Sequence, residues 1–123
     1  MDFKSTLPIY QQIADYVCDK VVGREWPEDE RIPSARDMGV MLQVNPNTVI
    51  RAFDKLQGEG IVSNRRGVGY FVESGALERI LDSRRRDFTD RTLPEIFASM
   101  RQLGVPFDEV ASQWQQYEKT NKG

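Results

Sequence analysis

RIPSARDMGVMLQVNPNTVIRAFDKLQGEGIVSNRRGVGYFV, residues 31–72, contains two helix starts, one glycine stop and a short pair of β-strands. In Pro33-Ser34-Ala35-Arg36-Asp37, Ser34 suits an N-cap, and Asp37 three positions on places a favourable charge in the first helical turn. Met38, Met41 and Leu42 supply an apolar stripe, and Gln43-Val44 makes a turn. Asn45-Pro46 then restarts the chain: Asn45 caps the free amides, and Pro46 fits the first helical position, where its missing N–H costs nothing. From Pro46 to about Glu59, Val49, Ala52, Phe53 and Leu56 recur at i, i+3, i+4 and i+7 and define one buried face. Gly60 ends the helix. The opposite face carries Asn47, Arg51 and Asp54, flanked by Thr48, Ile50 and Lys55.

Ile61 to Asn64 and Tyr70 to Val72 read as short strands separated by Arg65-Arg66-Gly67-Val68-Gly69. The glycines permit a turn with positive φ, and the arginines place guanidinium groups at its tip. Two helices, a tight turn and an arginine-tipped hairpin are the layout of a winged helix-turn-helix. Its second helix enters the DNA major groove, amides and hydroxyls at that helix's N-terminal end reach base edges, and arginine in the wing suits phosphate or the narrow minor groove. Each part alone also fits an ordinary surface helix or a solvated charged turn; the tandem arrangement favours DNA.

The order IPSARDM, VNPNTVIRAFDKL, Gly60 and RRGVGYFV resembles the DNA-binding domain of GntR-type bacterial transcriptional regulators, and within them the short YtrA-type branch. The resemblance covers roughly residues 7 to 74. It implies a winged-helix fold, dimeric binding to a palindromic operator on double-stranded DNA, and repression. By position, Arg36 matches the family's DNA-contacting arginine of the second helix. Asn45, Asn47 and Thr48 stand at the start of its recognition helix, and Gly67 lies in its wing. Several branches carry arginines where this chain has Pro46 and Ile50, so base-reading roles at those two positions are not carried over. The expected interface is Ser34, Arg36, Asn45, Asn47, Thr48, Arg51, Lys55, Arg65, Arg66 and Gly67. Within it Asn47, Thr48 and Arg51 would read bases, and Arg36, Arg65 and Arg66 would hold phosphates or the minor groove.

Charge is distributed, not bulk. The chain of 123 residues has a formal net charge of −2. Residues 31–66 carry Arg31, Arg36, Arg51, Lys55, Arg65 and Arg66 against Asp37, Asp54 and Glu59. Residues 15–30 carry Lys20 and Arg24 against Asp15, Asp19, Glu25, Glu28, Asp29 and Glu30, and are expected to face away from DNA. A modest positive surface per subunit predicts weak non-specific binding and reliance on two subunits.

Upstream, Leu7-Pro8 opens a helix to about Val22, closed by Gly23, with Ile9, Ile13, Tyr16 and Val17 as its apolar stripe beneath the recognition helix. Trp26-Pro27 lies in a loop that Trp26 would anchor to the core. Downstream, Ala76 to Asp87 is helical, Arg84-Arg85-Arg86 reads as a solvated linker, and Thr92-Leu93-Pro94-Glu95 repeats the capping pattern. Leu93, Ile96, Phe97, Met100 and Leu103 then form one seam, stopped by Gly104, and Phe107, Val110, Ala111, Trp114 and Tyr117 form a second after Pro106. Short helices are marginal alone, so these seams are expected to pair two subunits. The alternative is a tail folded onto its own domain.

The expected architecture is therefore mainly α with a small β-hairpin: a winged helix-turn-helix domain over residues 1–74 and a helical dimerisation segment over residues 75–123. The latter is too short for a closed ligand pocket, so any effector, whose identity the sequence leaves unknown, would bind weakly or at the interface between subunits. The chain has no histidine and one cysteine, Cys18, which removes His-based triads, His-ligated metal sites and internal disulfides. No phosphate-cradling glycine motif precedes a helix. No enzyme activity, cofactor or metal is expected, and the lack of a long apolar run or signal-like N-terminus points to the cytoplasm and away from membranes. The rival function is a winged helix used for protein assembly, for which exposed Ile50 speaks; Ile50 could equally meet a thymine methyl.

Overall fold

The Ser34 hydroxyl accepts a hydrogen bond from the Asp37 N–H at 3.0 Å, and the Asn45 side-chain carbonyl accepts one from the Asn47 N–H at 2.8 Å. Both helix starts read from the sequence are thus formed by the residues expected to cap them. The computed structural model describes residues 6–122. Its elements are α1 (Ile9–Val22), α2 (Ala35–Leu42), α3 (Pro46–Gly58), β1 (Val62–Arg65), β2 (Gly69–Val72), α4 (Ala76–Asp87), a π-helical turn (Phe88–Thr92), α5 (Leu93–Leu103) and α6 (Phe107–Thr120). The protein is mainly helical with one antiparallel hairpin. The chain forms two compact units, Met1–Ser83 and Arg84–Gly123.

In the first unit α3 packs on both α1 and α2. Its buried stripe of Val49, Ala52, Phe53 and Leu56 meets Ile13 and Val17 of α1 and Met38 and Leu42 of α2 in one core. Each of the larger side chains contributes about 1.5–3 kcal/mol on burial. Two expected core positions fall outside it. Met41 is 51% exposed, because the short α2 presses only its Met38–Gly39–Leu42 side onto the core. Ile9 is exposed as well, since it opens α1 and the buried stripe begins one turn later at Ile13.

The turn between α2 and α3 is closed by a contact the sequence did not advertise. Gln43 adopts the left-handed conformation (φ 57°), and the Val44 N–H donates to the Gly39 carbonyl at 2.9 Å. A Cβ on Gly39 would lie 2.9 Å from the Val44 carbonyl oxygen and 3.2 Å from Pro46 Cγ. Only a residue without a side chain lets the two helices meet this closely.

β1 and β2 pair in register from Val62–Val72 to Arg65–Gly69. The segment before α2 joins this sheet through an Arg31–Phe71 bridge, with the Ile32 N–H donating to the Tyr70 carbonyl at 2.9 Å. Tyr70 packs on Phe53, ring centroids 4.4 Å apart, which ties the hairpin to α3. Trp26 sits edge-on to Tyr16 at 6.1 Å and anchors the acidic loop to the core, as expected.

The first unit ends inside α4, at Ser83, and not at the expected 74/75 boundary. The reason is physical. Ala76 and Ile80 are buried in the core, and the Glu28 carboxylate accepts hydrogen bonds from the Gly75 and Leu77 N–H groups at 2.8 and 3.1 Å. Arg79 donates to the carbonyls of Gly60 and Ser74 at 2.8 and 3.0 Å.

The second unit departs from the sequence reading at its start. Arg84-Arg85-Arg86 form the last turn of α4 and are not a linker. Thr92 makes no capping hydrogen bond and is itself helical; the backbone stays helical through the π-helical turn into α5. Pro94 explains the widening. Its missing N–H and its ring are poorly tolerated inside a helix, and a π-helical turn just before it absorbs the misfit. The Thr89 hydroxyl lies within hydrogen-bond distance of the Arg85 and Arg86 carbonyls, at 3.2 and 3.1 Å. Gly104 (φ 70°) stops α5, and Pro106 precedes α6, as the sequence indicates. No residue of α5 or α6 is buried within the single chain.

Candidate nucleic-acid interface

The first turn of α3 presents Asn47, exposed, and Thr48, half-buried, beside the Asn45 cap. Asn45 Oδ1 and Ser34 Oγ are occupied as caps, so each is positioned by its own helix and has its capping bond to keep. Asn47 keeps its side-chain amide in solvent, a group able to donate and accept at a base edge. One turn further on, Arg51 is exposed, and its guanidinium lies 4.1 Å from the centroid of the Tyr10 ring on α1. Arg36 is exposed on the first turn of α2. Among the described residues, neither arginine forms an ion pair or hydrogen bond with a protein group.

Lys55 behaves differently from its neighbours. Its ammonium pairs with Glu59 at 2.6 Å, and the hydrogen bond to Glu59 holds the lysine above its usual range. Asp15 and Cys18 of α1 act on the same group, which puts the half-buried Lys55 on the α1 flank of α3. It is the expected interface residue least available to a phosphate.

The wing is a three-residue turn, Arg66-Gly67-Val68, between β1 and β2, with the Val68 N–H donating to the Arg65 carbonyl at 2.9 Å. Gly67 has φ 78° and open space around it, so the backbone conformation is what calls for glycine there. Arg66 is exposed at the tip. Arg65 is on the strand, its guanidinium 3.8 Å from the Phe71 ring centroid. Arg31 was counted in the sequence only as charge. It belongs to this surface too, since its side chain lies across Gly69, where an added Cβ would meet Arg31 Nε at 2.8 Å. The alternation of Arg31-Ile32 against Phe71-Val72 was the signal for it: the same pairing that buries Ile32 and Val72 turns Arg31 and Phe71 outward.

The structure therefore brings Ser34, Arg36, Asn45, Asn47, Thr48 and Arg51 onto adjoining helix starts and faces, and Arg65, Arg66 and Gly67 into the wing. The arrangement offers amides, hydroxyls and five-donor guanidinium forks, which suit base edges and phosphates. It offers no nucleophile–base pair. Among the described residues no group of three or more His, Cys, Asp or Glu could hold a metal ion, and no helix is long and apolar enough to cross a membrane.

The family described as bacterial regulatory proteins, gntR family, matches residues 9–72. The HTH-type transcriptional regulator YhcF of Bacillus subtilis is 35% identical over 108 residues, which span 88% of this chain and 88% of that protein. The HTH-type transcriptional repressor YtrA of the same organism is 24% identical over 110 residues, covering 89% of this chain and 84% of its own. A crystal structure of a GntR-family transcriptional regulator from Bacteroides thetaiotaomicron superposes with a TM-score of 0.81 at 34% identity, covering 91% of this chain and 99% of that one. With its winged helix-turn-helix and these similarities over most of its length, the chain belongs to the GntR family of DNA-binding transcriptional regulators, which are not enzymes.

Proposed function

We propose that the protein is a homodimeric repressor that acts in the cytoplasm on a two-fold symmetric operator. The observation that carries the reading is the solvent-facing first turn of α3, with Asn47 and Thr48 at its tip and Arg36 and Arg51 beside it free of protein ion pairs among the described residues. Asn47, Thr48 and Arg51 read bases. Arg36, Arg65 and Arg66 hold phosphates or the minor groove.

Dimerisation through residues 75–123 is supported by what α5 and α6 leave open. Ile96, Phe97, Leu103, Phe107, Val110, Trp114 and Tyr117 are exposed in the single chain, and Leu93 and Met100 are half-buried. Apolar side chains in this number on two short helices are costly in water and favour burial against a second copy. Two subunits would present recognition helices roughly 34–36 Å apart, about one DNA turn. A protein seated on a promoter in this way excludes polymerase, and the similarity to a named repressor, YtrA, agrees with that outcome.

The test is selection of tight binders from a random DNA pool at moderate salt, with the protein verified as folded. Palindromes with half-sites about one turn apart support the proposal. Enrichment of a single, unrepeated half-site removes the symmetric operator. No enrichment removes sequence-specific reading and leaves the assembly role, for which the exposed Ile50 on α3 would then be the anchor.

A further inference from the structure

Two arginines of the interface rest on aromatic rings, and the one on α3 has a consequence for which base it reads. The Arg51 guanidinium lies 4.1 Å from the Tyr10 ring centroid, and among the described residues it makes no hydrogen bond or ion pair. The guanidinium carbon sits over the ring while its N–H donors remain unspent. Tyr10 is half-buried in the first turns of α1 and packed against the core, so the ring is a fixed shelf. α1 and α3 pack directly on each other, which fixes the shelf relative to the recognition helix.

Arginine normally carries many rotamers, and immobilising them on binding opposes association. A ring that already holds the guanidinium removes part of that cost before DNA arrives. It also limits where the fork can lie. A guanidinium kept over the ring has its N–H donors free for a bidentate contact.

The geometry points to Tyr10 as a positioning residue that sets the base specificity of Arg51, holding its fork for the O6 and N7 acceptors of a guanine. The inference rests on the reading of Arg51 as a base contact. Tyr10 itself touches no base; it acts through the arginine it supports.

The test is a double-mutant cycle. Affinities for the selected operator and for a scrambled duplex are measured for the native protein, Tyr10→Leu, Tyr10→Met, Tyr10→Phe, Arg51→Ala and the Tyr10→Leu/Arg51→Ala pair. Leu and Met keep apolar bulk without a ring face, and two such variants guard against one that fails to fold. Either should lower the operator-to-scrambled ratio about 3- to 10-fold. The loss should fall at the same base pair that Arg51→Ala relaxes. The double variant should be no worse than Arg51→Ala alone, and Tyr10→Phe should stay within about two-fold of the native protein, since it keeps the ring. Equal losses on both duplexes, or losses that add to those of Arg51→Ala, would show Tyr10 to be a packing residue and overturn the inference. If Arg51→Ala itself leaves base preference unchanged, the base-reading role has failed first and Tyr10 falls with it. If Arg51→Ala relaxes specificity and Tyr10→Leu does not, only the present inference fails.

Discussion

Glu28, in the loop after α1, caps the start of α4 by accepting from the Gly75 N–H at 2.8 Å across 47 residues of sequence, and from Leu77 at 3.1 Å. These two backbone hydrogen bonds, helped by Arg79, hold the carboxyl below its ordinary value against the opposing effect of burial. A depressed folded value means stability that is present above the unfolded value and lost as pH falls through the folded one. Glu28→Gln should therefore lower the melting temperature at pH 7, and the gap from the native protein should narrow as pH drops below about 4. A gap that stays constant down to pH 3 would separate the cap from its charge.

Gly39→Ala should destabilise the first unit even though alanine is the better helix former. Helix propensity favours the substitution by about 1 kcal/mol. The added Cβ, however, meets the Val44 carbonyl at 2.9 Å and Pro46 at 3.2 Å, which α2 and α3 cannot both relieve without moving apart. Overpacking of this kind costs about 1–3 kcal/mol, and the net sign should be a loss in urea denaturation. A more stable variant would show that the notch has room to spare.

Ser34→Ala and Arg65→Ala should separate folding from DNA affinity. Removing the hydroxyl that accepts from Asp37 should cost about 1 kcal/mol of stability. Removing Arg65 should weaken binding to every duplex and reduce the slope of log affinity against log salt by about 1. Titrations at three or four salt concentrations decide it; a slope unchanged in Arg65→Ala places that guanidinium away from phosphate.

Trp114→Asp tests the pairing of subunits. Trp114 is 58% exposed on α6 and stacked with Tyr117, ring centroids 6.0 Å apart. A carboxylate there should leave the single chain folded but convert the sedimenting species from dimer to monomer. Affinity for a two-half-site operator should then drop by about 100-fold or more, with binding to one half-site unchanged. A dimer that survives the substitution would move the interface off α6.

What the sequence revealed was what local stereochemistry controls. Ser34, Asn45 and Pro46 start helices by their own hydrogen bonds and ring geometry, and the spacing of Val49, Ala52, Phe53 and Leu56 leaves only one face to bury. Where two local signals competed, the reading failed. Thr92-Leu93-Pro94-Glu95 fits a capped start and also a helix that continues through a widened turn, and the chain takes the second. Contacts across the chain left no trace in sequence spacing. Lys55 shares the outward face with Arg51 by periodicity, yet it lies on the α1 flank, beside Asp15 and Cys18. Tyr10 became part of the candidate site only when packing set it beside Arg51, distant in sequence, and Phe71 when the hairpin register set it beside Arg65.

The chain's two tryptophans are divided between its compact units, Trp26 in the first and Trp114 in the second. Trp26 is half-buried against Tyr16, whereas Trp114 faces solvent in the single chain. The emission spectrum thus carries two built-in reporters with no label attached. Unfolding of the first unit shifts Trp26, and on the proposed pairing of subunits a change of association shifts Trp114. A Trp114→Phe variant leaves only the first signal, so a dilution series of the two proteins separates the optical signature of assembly from that of folding.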